Sequence, residues 1–419
     1  MLDLKIIRQD PDMVKDVIKK RNLGLNLDDF LSLDEKRIEL IQKTDALRAL
    51  KNTVSKQIPN LSNEERPAKI AEMKQVGEDL KTLEVEQDSV EEKWKDLYYQ
   101  IPNILDPTAA IGNTDEDNIV DNIFGEKRVF DFDIKPHHEI GEVKGWIDTV
   151  KGSEVSGARF WYLKGDLVLL QFALIQYAMS VLTKEGFEPI IPPILTRERA
   201  MFGTGYFPAG EDGLYRVNPD DEDLHLVGTS EVPVTSYHCD ETIDVEKPKL
   251  YVAYSSCFRR EAGSAGKDMK WILRGHQFDK IEMVSFCKPE DSGKTHDFMI
   301  DMEEKIWQGL GIPYQKMNVC SGDLGNPAMK KFDLEAWMPG QQKYREVTSC
   351  SNVGEYQSRR LSIKYKDENG KSQFVHTLNG TVIAMSRCMI AIIENYQTAQ
   401  GNVAIPEVLQ PFMWGKKEI

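Results

Sequence analysis

Between Tyr254 and Phe286 the chain reads YSSCFRREAGSAGKDMKWILRGHQFDKIEMVSF. Phe258-Arg259-Arg260-Glu261 closes an expected strand, Ala262 to Met269 forms a small-residue loop, and the return carries Arg274, Phe278 and Glu282. Arginine can fork onto phosphate oxygens. Phe278 offers a flat face for a base, and Glu261 can accept from an exocyclic amine. A strand–loop–strand of this kind can hold an adenine nucleotide. A surface hairpin whose arginines pair with neighbouring acids has the same composition, and both readings stay open on these residues alone.

Two further clusters carry oxygen and nitrogen donors. His225-Leu226-Val227-Gly228-Thr229-Ser230-Glu231-Val232-Pro233 can cap a helix or turn, or can offer a hydroxyl and a carboxylate to a small polar substrate. Arg345-Glu346-Val347-Thr348-Ser349 is followed by Asn379-Gly380-Thr381 and Arg387. Glu346 and Ser349 present a carboxylate and a hydroxyl, ligand types that Mg²⁺ accepts when it also holds phosphates. G-x-G-x-x-G and G-x-x-x-x-G-K-[ST] are both absent, so any nucleotide site is neither of Rossmann nor of P-loop type.

The elements that must position these residues read as α+β. Leu250–Phe258, Gln277–Phe286 and Glu346–Ser349 have the β-branched and aromatic content of strands. Phe187–Leu195 carries three prolines and is expected at a sheet edge. Residues 158–185, Thr295–Leu310 and Thr381–Thr398 are expected to be helical. Strands and helices without regular alternation imply an antiparallel sheet flanked by helices.

Residues 28–101 differ from all that follows. They hold one glycine, Gly77, and prolines only at Pro59 and Pro67. Leu33, Leu40, Leu47 and Val54 recur every seven residues, and Met73, Val76, Leu80, Leu83, Val90, Trp94 and Leu97 continue the stripe beyond the break at Ile58-Pro59-Asn60. An antiparallel coiled-coil hairpin follows, with helices of about thirty residues running roughly 45 Å. Arg37, Thr44, Lys51 and Gln87 fall on the seam, where polar residues cost stability and fix register. Periodicity leaves the hairpin either a dimerisation coil or an arm reaching a distant partner. The segment from Ile101 to about Gly125 is rich in Pro, Gly, Asn and Asp, as a linker would be.

The 419 residues carry 53 basic and 68 acidic side chains, a net charge of −15. That argues against loose adhesion to polyanions. Six scattered cysteines without a C-x-x-C pair fit reduced thiols in the cytoplasm. The amino terminus has the character of neither a signal nor a transit peptide. The most apolar stretch, Leu167–Met179, is interrupted by Gln171 and Gln176, so no membrane span is expected.

Taken in order, SGARFWYLKG, GFEPIIPP, HLVGTSEVP, SSCFRREAGSAGKD, HQFDKIEM, REVTSCSN and LNGT…R…ENYQ resemble the bacterial-type seryl-tRNA synthetases, which are class II aminoacyl-tRNA synthetases. The resemblance runs the length of the chain. It implies a tRNA-binding domain over residues 1–103 with the arm at about 28–101, a linker at 104–128, and a class II antiparallel-sheet catalytic domain over 129–419. It further implies ATP-dependent activation of serine and its transfer to the 3′-hydroxyl of serine tRNA, and of selenocysteine tRNA as the family generally allows.

By the same resemblance, Arg259 and Arg387 are the catalytic cations. ATP is held by Arg259, Arg260, Glu261, Arg274, Phe278, Glu346, Val347, Thr348, Ser349 and Arg387. Serine is held by Thr229, Ser230, Glu231, Arg259, Glu282, Asn379 and Thr381, and Mg²⁺ by Glu346 and Ser349. The arm is implied to grip the long variable arm of the tRNA. The first class II motif, ending at Pro192-Pro193, is implied to form a homodimer interface. The short stretch after Tyr396 leaves no room for a carboxy-terminal anticodon-binding domain. A ligase loading a carrier protein would share the catalytic signature but lack the arm. Arg260, Lys270-Trp271 and Val382-Ile383 depart from the commonest family pattern.

Overall fold

The computed structural model describes residues 1–208, 210–218, 223–261 and 272–419. Two compact units are distinguished: Leu2–Lys19 with Leu23–Pro102, and Met1 and Lys20–Asn22 with Asn103–Ile419.

The first unit is built on the hairpin of α1 (Leu27–Gln57) and α2 (Glu65–Gln100). Asn26 caps α1, its side chain accepting from the Asp28 amide, with Asp28 and Asp29 in the first turn. Between the helices, Ile58–Asn60 tightens into a 3₁₀ turn. Ser62 Oγ accepts from the Glu65 amide at 3.3 Å and donates to Glu65 Oε2 at 2.7 Å, closing the start of α2. Of the polar seam residues, Arg37, Thr44 and Gln87 find partners across the hairpin, while Lys51 is exposed. Thr44 Oγ1 donates to Gln87 Oε1 at 2.9 Å, and Arg37 pairs with Glu91 while its guanidinium stacks 4.4 Å from the Trp94 ring. Because only one register satisfies both pairs, they specify alignment where a purely apolar seam would tolerate slippage. Toward the hairpin base, Phe30, Trp94 and Tyr98 cluster, and buried Asp34 accepts from Arg8 and from Trp94 Nε1.

The second unit is an eight-stranded sheet. Its strands are β1 (Ile119–Phe124), β2 (Glu188–Ile190), β3 (Lys249–Phe258), β4 (Gln277–Cys287), β5 (Tyr314–Asn318), β6 (Lys330–Met338), β7 (Lys343–Gly354) and β8 (His376–Ala384), in the order β1-β5-β6-β7-β8-β4-β3-β2. All neighbours are antiparallel except the β2–β3 pair. Pro189 lies in β2, at the sheet edge, where a missing N–H is tolerated. The residues expected to be linker supply β1 at the opposite edge.

Helices α3 (Asp166–Lys184), α4 (Ser292–Gly309) and α5 (Met385–Asn395) share one core with the sheet. Leu167, Leu170 and Leu174 of α3, Met299 and Ile306 of α4, and Met389 and Ile392 of α5 join Ile281 and Met283 of β4 there. Each such buried side chain contributes about 1.5–3 kcal/mol. By length and composition α3 is apolar enough to cross a membrane. Its buried face is the core face just described, while Phe172 is exposed on the other side.

One expected element divides. Thr381–Thr398 was expected as a helix, but Thr381–Ala384 completes β8 and the helix begins only at Met385. The run Thr381-Val382-Ile383 is β-branched, and β8 lies between β7 and β4, so both its edges are bonded. The helix expected over residues 158–185 likewise starts only at Asp166. The loop Ala262–Met269 and the pair Lys270-Trp271 lie outside the described residues. The six cysteines are free thiols.

Candidate active site

Side chains alternate along β4, so Phe278, Lys280 and Glu282 share one face, which continues as apolar Val284 and Phe286. Register then fixes the neighbours. Thr381 of β8 lies opposite Glu282, and Asp333 of β6 lies opposite Ser349 of β7. Arg259 follows the end of β3, its amide donating to the His276 carbonyl at 3.0 Å.

These elements wall a cleft lined by Arg259, Glu261, Arg274, Phe278, Glu346 and Arg387, together with Lys280, Val347, Thr348 and Thr381. The Arg259 guanidinium lies 5.3 Å from the Phe278 ring, and its Nε donates to the Gly228 carbonyl at 3.1 Å. Arg274 Nη1 is 3.3 Å from Glu261 Oε2. Glu261 has φ +50°, an uncommon conformation for a side chain other than glycine, and one that turns the chain at the strand end. Arg387 Nη1 donates to the Glu346 carbonyl at 2.7 Å and to Oε1 at 3.0 Å. Burial opposes ionisation of Glu346, but Arg387, Lys331 and Arg259 together outweigh it and hold the carboxyl below its ordinary range. Arg260 is exposed, and neither it nor Ser349 lines the cleft.

Beneath β7, Thr348 Oγ1 donates to Glu303 Oε2 of α4 at 2.7 Å, and burial pushes the Glu303 carboxyl well above its ordinary range. Asp333 lies 3.1 Å from Lys331 Nζ. Burial nevertheless pushes its carboxyl up to about 7, and its Oδ1 has no hydrogen-bond partner among the described residues. Glu346, Ser349 and that oxygen form an all-oxygen donor set, which suits Mg²⁺. Among the described residues, no three His, Cys, Asp or Glu side chains gather into a dedicated metal cluster. An ion sharing its coordination with phosphates needs no such cluster.

The polar pocket behind the cleft holds two carboxylates. Glu231 opens a short helix, Glu231–Thr235, and accepts from Gln357 Nε2 at 2.7 Å, Asn379 Nδ2 at 2.9 Å and the Tyr206 hydroxyl at 3.4 Å. Burial, then the neighbouring Glu282 charge, pushes Glu231 up to about 7. Glu282 accepts from Thr381 Oγ1 at 2.9 Å and pairs with Lys280 Nζ at 2.5 Å. Thr229 Oγ1 accepts from Lys280 Nζ at 2.7 Å and from the Glu231 amide at 3.2 Å, leaving its own proton to donate. Ser230 is fully buried, and its Oγ has no hydrogen-bond partner among the described residues.

The residues singled out from sequence for the cleft and pocket all lie on the second unit's sheet and its adjoining loops, with Arg260 and Ser349 outside the cleft lining. Further residues were missed, among them Asp333 and Glu303, which lie beside Ser349 and Thr348. Lys280 was signalled by alternation, since it stands between Phe278 and Glu282 on the same face. Tyr206 and Gln357 carried no local signal, because they reach Glu231 from segments 25 and 126 residues away.

Residues 1–105 match the family model of the seryl-tRNA synthetase N-terminal domain, and residues 215–396 match that of the class II tRNA synthetase core domain for G, H, P, S and T. A serine--tRNA ligase of Dictyoglomus turgidum is 42% identical over 418 residues, spanning 99% of this chain and 98% of that protein. Among solved structures, a seryl-tRNA synthetase from Pyrococcus horikoshii complexed with ATP superposes with a TM-score of 0.90 at 38% identity, covering 100% of this chain and 99% of that one. A cytoplasmic serine-tRNA ligase from Naegleria fowleri in complex with AMP gives a TM-score of 0.86 at 35% identity, covering 100% and 98%. With likeness of this degree over the full length, an antiparallel class II sheet and an amino-terminal helical hairpin, the chain belongs to the seryl-tRNA synthetase family.

Proposed function

We propose that this family's reaction, ATP-dependent activation of serine followed by transfer to tRNA, is divided among the residues of the cleft and pocket. In the cleft, Phe278 stacks on adenine and Glu261 accepts from its amino group. Arg274 holds the outer phosphates, and Arg259 and Arg387 neutralise charge at the reacting phosphate. Val347 and Thr348 line the cleft beside it. Glu346 and Ser349 would hold Mg²⁺, which supplies charge neutralisation on the phosphates when bound. In the pocket, Glu231, Thr229 and Asn379 receive the serine ammonium, and Glu282 and Thr381 receive its hydroxyl. Ser230 closes the pocket wall, and Arg259 meets the carboxylate.

The serine carboxylate oxygen attacks the α-phosphorus, the bond to the bridging oxygen of pyrophosphate breaks, and seryl-adenylate forms. The tRNA 3′-hydroxyl then attacks the acyl carbon and AMP leaves. No protein nucleophile takes part, so rate comes from positioning and from cations placed where charge develops.

The observation that carries this reading is that the two subsites adjoin. Lys280 and Thr381, which hydrogen-bond with the pocket residues Thr229 and Glu282, also line the cleft of Arg259 and Phe278. A bound amino acid thereby sits beside a bound nucleotide. Two carboxylates with a hydroxyl partner suit a zwitterion bearing one extra hydroxyl, because alanine would leave those groups unpaired.

Residues 1–103 would bind tRNA and residues 129–419 would catalyse. The α1–α2 hairpin would grip the long variable arm of serine tRNA, and of selenocysteine tRNA, by shape and a few placed cations. The exposed Phe172 on α3 and Ile191 and Ile194 after β2 support a homodimer through the first class II motif. Free thiols fit a cytoplasmic location. ATP–pyrophosphate exchange with each amino acid in turn, followed by charging of serine tRNA, tests the reading. Exchange driven by threonine or glycine above that driven by serine would overturn it.

A further inference from the structure

Lys280 is 5% exposed, and its ammonium is saturated by the pocket around it. Nζ lies 2.5 Å from Glu282 Oε2, 2.7 Å from Thr229 Oγ1 and 3.4 Å from Thr381 Oγ1. Three donors thus meet three acceptors, all of them groups assigned above to serine. Thr381 Oγ1 also donates to Glu282 Oε2, so the lysine closes a small ring of bonds around the hydroxyl-reading carboxylate. No other cation bonds Glu282 or Glu231 among the described residues. Two carboxylates and one ammonium leave a net single negative charge, which one substrate ammonium balances. Without Lys280 the pocket would carry two, and a cation would bind there whatever its side chain.

We propose that Lys280 is a specificity-determining residue of the amino-acid site, its ammonium locking Glu282, Thr381 and Thr229 into the one arrangement that accepts a β-hydroxyl. The inference rests on the reading of this pocket as the serine site. A preset acceptor costs nothing to orient when serine arrives and is left unpaired when alanine does, which is where discrimination arises. An unlocked carboxylate can swing to meet the substrate ammonium instead, and the hydroxyl then counts for little.

The test uses the full chain with Lys280→Met, Lys280→Ala, Glu282→Gln and the Lys280→Met/Glu282→Gln double variant. Exchange is measured with serine and with alanine, alongside equilibrium binding of a non-hydrolysable ATP analogue. Loss of charge-assisted bonds of this kind should lower serine kcat/KM by about a hundredfold in Lys280→Met and the serine-to-alanine ratio by about tenfold. Affinity for the ATP analogue should stay within about threefold, since the nucleotide groups are untouched. Propylammonium should restore serine exchange to Lys280→Ala, and propanol should not. If Lys280 acts through Glu282, adding Lys280→Met to Glu282→Gln should cost less than about threefold further. This neutral pair also decides the matter if a lone Glu282 prevents the single variant from folding. An unchanged serine-to-alanine ratio, parallel losses of serine and nucleotide binding, additive effects in the double variant, or tighter serine binding would each overturn the proposal. Wild-type exchange with serine stands as the separate control: its failure would sink the reading of the site and not this assignment within it.

Discussion

The Glu231 carboxyl gives the sharpest handle on the site. Burial and the Glu282 charge push it up to about 7, while the Gln357 hydrogen bond, Lys280 and the Tyr206 hydroxyl pull it back. If the ionised form receives the serine ammonium, the free enzyme must lose that proton before it can bind substrate. About one tenth of the enzyme is then competent at pH 6 and one hundredth at pH 5, so kcat/KM for serine should fall about tenfold per pH unit below 7 and level off above 8. Serine-dependent exchange at saturating ATP from pH 5.5 to 8.5 measures it. Changing the causes should move the limb in opposite directions. Glu282→Gln removes a raising neighbour and shifts the limb to lower pH, and Gln357→Leu removes a lowering bond and shifts it higher. Stability carries the matching sign. A carboxyl raised in the folded state favours folding when protonated, so its contribution is present below about 4.5 and is lost as pH climbs toward 7. Glu231→Gln should therefore gain in melting temperature relative to wild type at pH 8 compared with pH 5. A flat serine profile, or limbs that shift together, would refute the role given to Glu231.

Other expectations concern separate parts of the machinery. Arg259→Ala should lower exchange by about a thousandfold or more while the melting temperature changes little, because a cation at the reacting phosphate acts chiefly in the transition state. Deleting residues 28–101 should leave exchange within about threefold and abolish tRNA charging, as measured by acylation of serine tRNA; charging that survives would remove the arm from the account. Glu303→Gln should be tolerated because the buried carboxyl is already favoured in its neutral form, whereas Glu303→Leu should cost about 1–3 kcal/mol by leaving Thr348 Oγ1 without its acceptor, read by denaturant unfolding.

Much of the fold was legible because its signals are local. The seven-residue spacing from Leu33 to Val54 is enough to bury one edge of a helix, and the break at Ile58-Pro59-Asn60 is enough to reverse it. Strands β3 and β4 announced themselves by β-branched and aromatic content and began and ended within a residue of expectation. Thr381–Thr398 misled because Met385–Asn395 is strongly helical and the preceding β-branched run could extend it. Only the presence of β7 on one side and β4 on the other decides for strand.

By itself the sequence determined which chemical groups are available and their order: arginines, an aromatic and a carboxylate on a strand–loop–strand, hydroxyls and acids in two distant clusters, and a long polar-seamed hairpin. Tertiary structure alone decided which groups meet. Register sets Thr381 against Glu282, the fold brings Tyr206 and Gln357 to Glu231 from distant segments, and Lys280 turns from one more strand residue into a cation bonded to Glu282 and Thr229. The reason is that proton affinity and charge pairing depend on distance and on the water removed, not on separation along the chain. Two carboxylates 51 residues apart in sequence thereby come close enough for the charge on Glu282 to raise the Glu231 carboxyl.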